Sequence, residues 1–407
     1  MSDSEFIEWF VGFVDGEGCF FIDISKKNTI SFLLTIGIHL DDLGTLEFIK
    51  NRLNCGSIYT NRLATFNVKR INDIQNILIP LFDKFPLNGI KYLDYLTFKK
   101  AISIKLDESL SNSEKLQLIT DLKDSMNTKR VNFKMPLTHT IRVTPYWLLG
   151  FIEGEGCFSL VDVKDIGISF SLALTSVQYP LIYEVKNFLD SYGIKDVNLK
   201  ASPQYLNIIS QRTSIYAKDK TTINGKPVIE MQIRPISFIV DTFIPLLSNL
   251  SFGTKKYQDF LDWAFIASLI YKGKHLTETG KELILKISKR MNKYRLSSFK
   301  YLDSENKEIY SSLMKEVRDM KDIYVIDQDG LRINSLTGAL VKRQVFYILA
   351  EEDVTGEAGK FIIFKDSQSC ADYFKVAPQT INIKLNKRVI VFDSKKVGFK
   401  LSRRLIG

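Results

Sequence analysis

Histidine is nearly absent from this 407-residue sequence: three occur, His39, His139 and His275, scattered along the chain. A histidine-based zinc site and a histidine–metal nuclease finger find no support, and any catalytic metal has to be held by oxygen ligands. Cysteine is scarce too. Cys19, Cys55, Cys157 and Cys370 lack metal-ligand spacing, which favours a reduced compartment over a disulfide scaffold. No run of 18 apolar residues occurs, so a soluble protein with no membrane span is expected. The start, Met1-Ser2-Asp3-Ser4-Glu5, is acidic where a transit peptide would be rich in arginine, and no import signal is evident. What is present suits a folded protein of two or three domains, with 45% hydrophobic residues. Lys+Arg 56 against Asp+Glu 46 gives a net charge of +10, a mild excess compatible with a polyanionic partner.

The most informative feature is a duplication. Trp9-Phe10-Val11-Gly12-Phe13-Val14-Asp15-Gly16-Glu17-Gly18-Cys19-Phe20 recurs as Trp147-Leu148-Leu149-Gly150-Phe151-Ile152-Glu153-Gly154-Glu155-Gly156-Cys157-Phe158. Gly12 and Gly16 share one helical face, as do Gly150 and Gly154, so the two helices can pack backbone against backbone. Such packing carries Glu17 and Glu155 to one place, where they repel unless a cation lies between them. A single copy would read as a core helix ending in a solvated carboxylate; two copies favour a shared metal site. Asp15 and Glu153, two residues earlier, point elsewhere and are expected to cap or pair with the opposite half.

Apolar periodicity gives the first half the order αββαββα. A helix from Ser4 to Asp15 feeds strands at 19–24 and 31–39; a helix over 41–53, a hairpin around Asn61-Arg62 and a helix over 71–82 follow. The second half repeats this from Trp147, with a strand over 168–175, a helix over 180–189 and a longer hairpin containing Lys218, Lys220 and Lys226. Residues 111–144 look like a polar connector. In the first strand Phe20, Ile22 and Ile24 share the face that packs under the helices, while Cys19, Phe21, Asp23, Ser25 and Lys27 share the other. The matching face of the second half carries Cys157, Ser159, Val161 and Val163, with few polar groups.

These residues resemble the LAGLIDADG homing endonucleases in their single-chain, two-motif form, over roughly residues 5 to 300. Positions 10–18 and 148–156 are similar to the nine-residue signature, and its metal-binding acidic position falls on Glu17 and Glu155. The segments beginning Gly89-Ile90-Lys91 and Lys255-Lys256-Tyr257 resemble the lysine-bearing segment of each half, which makes Lys91 and Lys256 active-site candidates. Met126-Asn127-Thr128-Lys129-Arg130 and Met291-Asn292-Lys293-Tyr294-Arg295 resemble the element that closes each half. The resemblance implies an α+β fold of two pseudo-symmetric subdomains (1–115 and 145–305, joined by 116–144). It implies Mg²⁺ held by Glu17 and Glu155 with the carbonyls of Gly16 and Gly154, and a staggered cut in double-stranded DNA. It places Asp23, Ser25, Lys27, Arg62, Lys69, Arg70, Ser159, Arg212, Lys218 and Lys220 against DNA. A monomer is expected, because the duplication supplies both halves, and mitochondrial residence is expected ahead of chloroplast. Two alternatives stay open: a maturase that binds its host intron RNA, and a catalytically silent component of a ribonucleoprotein.

Beyond about residue 310 the resemblance stops. Strands are expected at 324–326 and 361–365, and 367–388 has the layout of a helix-turn-helix in which Ser367 caps the first helix and Pro378 starts the second. Gln379, Asn382, Lys384 and Lys387 lie on the polar side of that second helix. Residues 320–407 thus resemble the small modular DNA-binding repeats appended to mobile-intron endonucleases.

Overall fold

The computed structural model describes residues 1–162, 166–194, 202–218, 226–298, 307–328, 330–341, 344, 346–353, 360–387 and 389–405. Ser2 opens the first motif helix (Asp3–Glu17) through a capping box with Glu5. The chain passes straight from Glu17 into β1 (Gly18–Ile24), which pairs antiparallel with β2 (Ile30–Ile38). The helix Leu43–Leu53 stops where Asn54 turns left-handed at φ 52°, and β3 (Ser57–Thr60) and β4 (Ala64–Val68) complete a sheet ordered β1-β2-β4-β3. A helical run through a π turn (Ile74–Leu78) and the helices Lys91–Leu106 and Asn112–Lys123 pack behind it.

The second motif helix (Pro145–Glu155), capped by Thr144, starts the repeat. Strands β5 (Gly156–Asp162), β6 (Gly167–Thr175), β7 (Ser214–Lys218) and β8 (Val228–Ile233) form a sheet ordered β5-β6-β8-β7, the same order as in the first half. Even the π turn recurs, at Ile239–Phe243. The chain is therefore a mixed α and β protein with two pseudo-symmetric halves.

Strand alternation is as the sequence indicated. Phe20 and Ile22 are buried while Phe21 and Asp23 face out. Phe20 packs on Phe82, Tyr95 and Phe98; its counterpart Phe158 packs on Phe170, Phe260 and Trp263. One continuous core runs through both halves because the motif helices touch at their glycines. A Cβ on Gly12 would lie 2.0 Å from Trp147 O, and one on Gly150 would lie 2.0 Å from Trp9 O.

Three stretches differ from expectation. The supposed polar connector begins with the helix Asn112–Lys123, whose amphipathic face buries Ile119 against the first half. The first helix of the C-terminal pair (Ser367–Phe374) is capped by Asp366, not Ser367, because the Asp366 carboxylate accepts the Ser369 N–H at 2.7 Å. That pair, completed by Pro378–Lys387, covers a four-stranded sheet of which three strands escaped the sequence reading: β11 (Phe346–Glu352), β13 (Val391–Phe392) and β14 (Gly398–Leu405) join β12 (Phe361–Phe364), after a small hairpin of β9 (Tyr324–Ile326) and β10 (Arg332–Asn334).

Arg212 is the third. It does not face solvent but is 5% exposed, and its guanidinium donates to Asp190 O at 2.6 Å and Tyr192 O at 3.2 Å. It closes the C-terminal end of the helix Tyr179–Ser191; the helix Pro203–Ile209 that follows has no counterpart in the first half. Tyr205, Ile208 and Ile209 of that helix pack on Tyr347 and Ile363 of the C-terminal sheet. Among the described residues, no helix is long and apolar enough to cross a membrane.

Because the seam has no room for a methyl group, Gly12→Ala or Gly150→Ala should lower stability by about 3 kcal/mol or more. Gly44→Ala, where nothing lies within 4 Å of the added carbon, should leave stability unchanged or slightly raised. Urea unfolding of the three variants checks this contrast.

Candidate active site

Both motif helices end at a glutamate followed by an extended glycine, Gly18 at φ −76° and Gly156 at φ −75°. At the seam a Cβ on Gly16 would lie 3.2 Å from Gly154 Cα and 3.6 Å from Glu155 Cγ; one on Gly154 would lie 3.3 Å from Glu17 Cγ. Glu17 and Glu155 therefore leave the seam side by side. Burial raises the pKa of each, and the charge of Glu155 raises that of Glu17 further, while Lys91 and Lys256 pull both down. Two partly desolvated carboxylates in mutual repulsion suit a divalent cation between them. Among the described residues no group of three or more His, Cys, Asp or Glu converges. The protein thus offers two carboxylates and backbone oxygens, a donor set that leaves coordination positions for water and phosphate, as Mg²⁺ prefers.

Lys91 opens the helix Lys91–Leu106, and its ammonium donates to Val14 O at 3.2 Å and to Gly16 O. Lys256 opens the helix Lys256–Tyr271 and donates to Gly156 O at 2.6 Å. Cations at the carbonyl ends of the two motif helices are favourably placed against the helix dipoles. Burial pushes both lysines below their usual range. Gly16 O, one of the two carbonyls expected around a metal, thus already accepts one hydrogen bond and retains a second lone pair.

Asp15 and Glu153 cross between the halves as expected. Asp15 accepts from Asn88 N (2.8 Å), Gly89 N (2.9 Å) and, from the other half, Trp147 Nε1 (3.0 Å). Glu153 accepts from Gly253 N, Thr254 N, Thr254 Oγ1 and, again across the seam, Trp9 Nε1. Burial lifts the Asp15 carboxyl to about 6 and raises that of Glu153.

A second symmetric clasp lies behind each first strand. Asn127 and Asn292 are left-handed, at φ 53° and 57°, and each donates its amide to the strand, at Phe20 O (3.0 Å) and Phe158 O (2.9 Å). Asp94 and Asp259 then accept both the asparagine N–H and the guanidinium of Arg130 or Arg295. The two tryptophans and two aspartates were missed as functional supports; the tryptophans head each repeat, and that recurrence was the available signal.

One contact is not duplicated. Asp41 accepts from Ser297 N (2.8 Å) and Ser297 Oγ, and pairs with Lys255 at 3.2 Å. Val177, the middle residue of the 3-10 turn Ser176–Gln178, holds the place in the second half that Asp41 holds in the turn Leu40–Asp42.

Of the expected nucleic-acid contacts, Asp23, Lys27, Arg62, Lys69 and Arg70 are exposed around the first sheet. Ser25 is spent on the turn, its hydroxyl accepting from Lys27 N (3.2 Å) and Thr29 N (3.1 Å). Ser159 bonds Ser169 across the strands at 3.1 Å, and Lys218 is ion-paired to Glu230. Val163 and Lys220 lie outside the described residues. Gln379 and Lys387 are exposed. Asn382 and Lys384 depart from expectation: Asn382 Oδ1 accepts from Ser367 (2.9 Å) and Arg403 (3.2 Å), and Lys384 donates to Ile390 O (3.2 Å), so both tie the helix pair to its own module.

Comparison with known proteins agrees with this architecture. A family profile described as LAGLIDADG endonuclease matches residues 10–102 and 148–267. The "Uncharacterized mitochondrial protein RF1" of Saccharomyces cerevisiae is 27% identical over 343 residues, 81% of this chain and 69% of that one. The "Probable intron-encoded endonuclease Cox1-I1b" of Schizosaccharomyces pombe is 33% identical over 195 residues, 46% of this chain and 50% of that one. The chain thus spans half to about two thirds of these relatives' length. Among solved structures, the LAGLIDADG homing endonuclease I-GzeII in complex with its DNA target superposes with TM-score 0.59 at 28% identity, covering 71% of this chain and 99% of that one. The I-LtrWI LAGLIDADG homing endonuclease shares the fold at TM-score 0.60 and 22% identity, over 72% of this chain and 99% of that one.

The Asp41 clasp carries a pH dependence. Hydrogen bonds from Ser297, reinforced by Lys255, hold the Asp41 carboxyl at about 2, below its ordinary 3.8. A carboxylate depressed on folding contributes stability that is fully present above its unfolded pKa and is lost as the pH falls through the folded one. Asp41→Asn should therefore flatten the loss of stability between pH 3.8 and about 2, as measured by denaturant unfolding at a series of pH values.

Proposed function

Because this chain belongs to the LAGLIDADG endonuclease family, we propose that it is a site-specific homing endonuclease that cuts both strands of a long DNA target with a divalent cation, Mg²⁺, and leaves a staggered break. The observation that carries this is the meeting of Glu17 and Glu155 at the seam with Lys91 and Lys256 beside them. Glu17 and Glu155 are the protein ligands to the cation, with Gly16 and Gly154 carbonyls as backbone donors. Bound there, the cation supplies a nucleophilic water and a counter-charge for the phosphate. Lys91 and Lys256 steady the developing negative charge, each serving the strand that crosses its half; their lowered pKa also suits them to order the attacking water.

The two sheets form the DNA-facing surface. Asp23, Lys27, Arg62, Lys69 and Arg70 serve the first half-site, Ser159 and Lys218 the second, and Gln379 and Lys387 extend the contact from the C-terminal module. One chain holds both motifs, so it acts as a monomer. The relatives' printed names, mitochondrial and intron-encoded, support a mitochondrial location and a role in intron homing.

Incubation of the purified chain with a supercoiled library of AT-rich organellar DNA and Mg²⁺ tests this. Discrete linear products are expected, lost in Glu17→Gln and in Glu155→Gln, and slowed about a hundredfold or more in Lys91→Met. Nucleic-acid binding without any cut, unchanged by the substitutions, would instead favour an intron RNA maturase or a silent ribonucleoprotein component.

A further inference from the structure

The second sheet carries a polar assembly that its twin lacks. On the face of β7 and β8 opposite the buried Ile229, Met231 and Ile233 lie Ser214, Tyr216, Lys218, Glu230 and Gln232. Glu230 is 4% exposed on this otherwise open face, ion-paired to Lys218 and further bonded by Gln232 and Ser171. Tyr216 donates its hydroxyl to Gln232 Oε1 at 2.8 Å and lies 3.1 Å from Ser214 Oγ.

Strand register aligns the two halves: β4 pairs Thr65 with Tyr59 and Asn67 with Ser57, just as β8 pairs Glu230 with Tyr216 and Gln232 with Ser214. Thr65 therefore stands where Glu230 does, and Asn61 where Lys218 does. The fold does not require a carboxylate at this position, and burying one is unfavourable unless it is paired.

The hydrogen-bond directions define what this surface presents. Glu230 holds the Lys218 ammonium, whose side chain stays about half exposed, with N–H groups to spare. Gln232 accepts from Tyr216 through its oxygen, which keeps a second lone pair, and turns an amide hydrogen to Glu230. The Lys218 ammonium can only donate. In the major groove guanine offers two adjacent acceptors, O6 and N7, whereas adenine N7 and thymine O4 each stand alone and adenine N6 and cytosine N4 require acceptors.

We infer that Lys218, fixed by Glu230, selects guanine in the half-site that lies against the second sheet. Glu230 is a positioning residue that acts through Lys218. The inference rests on the DNA-binding function proposed above and adds the base identity and the residues that set it.

Selection of bound sequences from a randomised double-stranded DNA library, using the full chain, tests it. Guanine should be enriched about tenfold or more at a position of the second half-site. Lys218→Met and Glu230→Gln should each bring that preference close to parity, Lys218→Arg should keep it, and base preferences in the first half-site should not change in any variant. Unchanged first-half-site preferences in Lys218→Met, which leaves the buried Glu230 carboxylate unpaired, show that the variant is folded, so its loss of guanine preference reports readout. Guanine enrichment that survives both Lys218→Met and Glu230→Gln overturns the inference, as does enrichment confined to the first half-site. Failure to enrich any sequence overturns the proposed function along with it.

Discussion

Everything in this molecule is arranged around the contact of two helix backbones. Gly12 and Gly150 each meet a tryptophan carbonyl of the other helix, and Gly16 meets Gly154 carbon to carbon. No side chain fits between them, so the apolar residues of each motif have to point away. Phe10, Phe13, Val14, Leu148, Phe151 and Ile152 all enter the one core that spans both halves. The same contact sets the distance between the helix ends. Glu17 and Glu155 are close because nothing larger than hydrogen separates the turns before them. Closeness gives the site its chemistry and also its electrostatic strain.

Lys91 and Lys256 offset that strain, and the acidic pair two residues before the glutamates sets where these lysines stand. Asp15 and Glu153 each take one hydrogen bond from the opposite tryptophan and two or more from the loop that opens the lysine helix of their own half. A buried carboxylate is tolerable when its oxygens are satisfied this way. The arrangement does more than lock the halves together. By gripping residues 88–89 and 253–254, these acids fix where Lys91 and Lys256 emerge, two or three residues on. The repeat thus encodes a carboxylate that presents itself at the seam and another that presents the lysine. Two acids of similar sequence context are separated in role by the helical angle between them.

This explains what could be read beforehand and what could not. The seam, the paired glutamates and the alternation of β1 are local patterns, set by residue spacing alone. Asp15 and Glu153 were legible only as groups pointing off the seam, since their tryptophan partners lie more than a hundred residues away. Arg212 was misread because a charged residue in a basic hairpin gives no sign of burial. Its burial comes from the carbonyls of Asp190 and Tyr192 and the ring of Phe238, none of them adjacent in sequence. Asn382 and Lys384 failed for a related reason: helical periodicity identifies a polar face but cannot tell which polar groups the module keeps for itself. Glu230 gave no signal in sequence because a glutamate alternating with apolar residues on a strand reads as solvent-facing, and its burial depends on Lys218 across the hairpin.

The distribution of symmetry along the chain now has a physical reason. The residues that recur are those whose partners lie at the seam or behind the first strand of each half: the glycines, the tryptophans, Asn127 with Asn292, Asp94 with Asp259. The glycines and tryptophans belong to a geometry in which one half is the other's boundary, so a change in one copy would have to be matched in the second, while the asparagine and aspartate clasps hold the first strand within each half. Residues on the open sheet faces are under no such coupling. Tyr59 and Tyr216 still correspond, yet Thr65 and Asn61 face Glu230 and Lys218 across the pseudo-symmetry. Divergence is therefore concentrated where the protein meets something that is not itself symmetric. A duplicated fold holds two reaction centres in fixed relation, and its two halves remain free to recognise different surfaces.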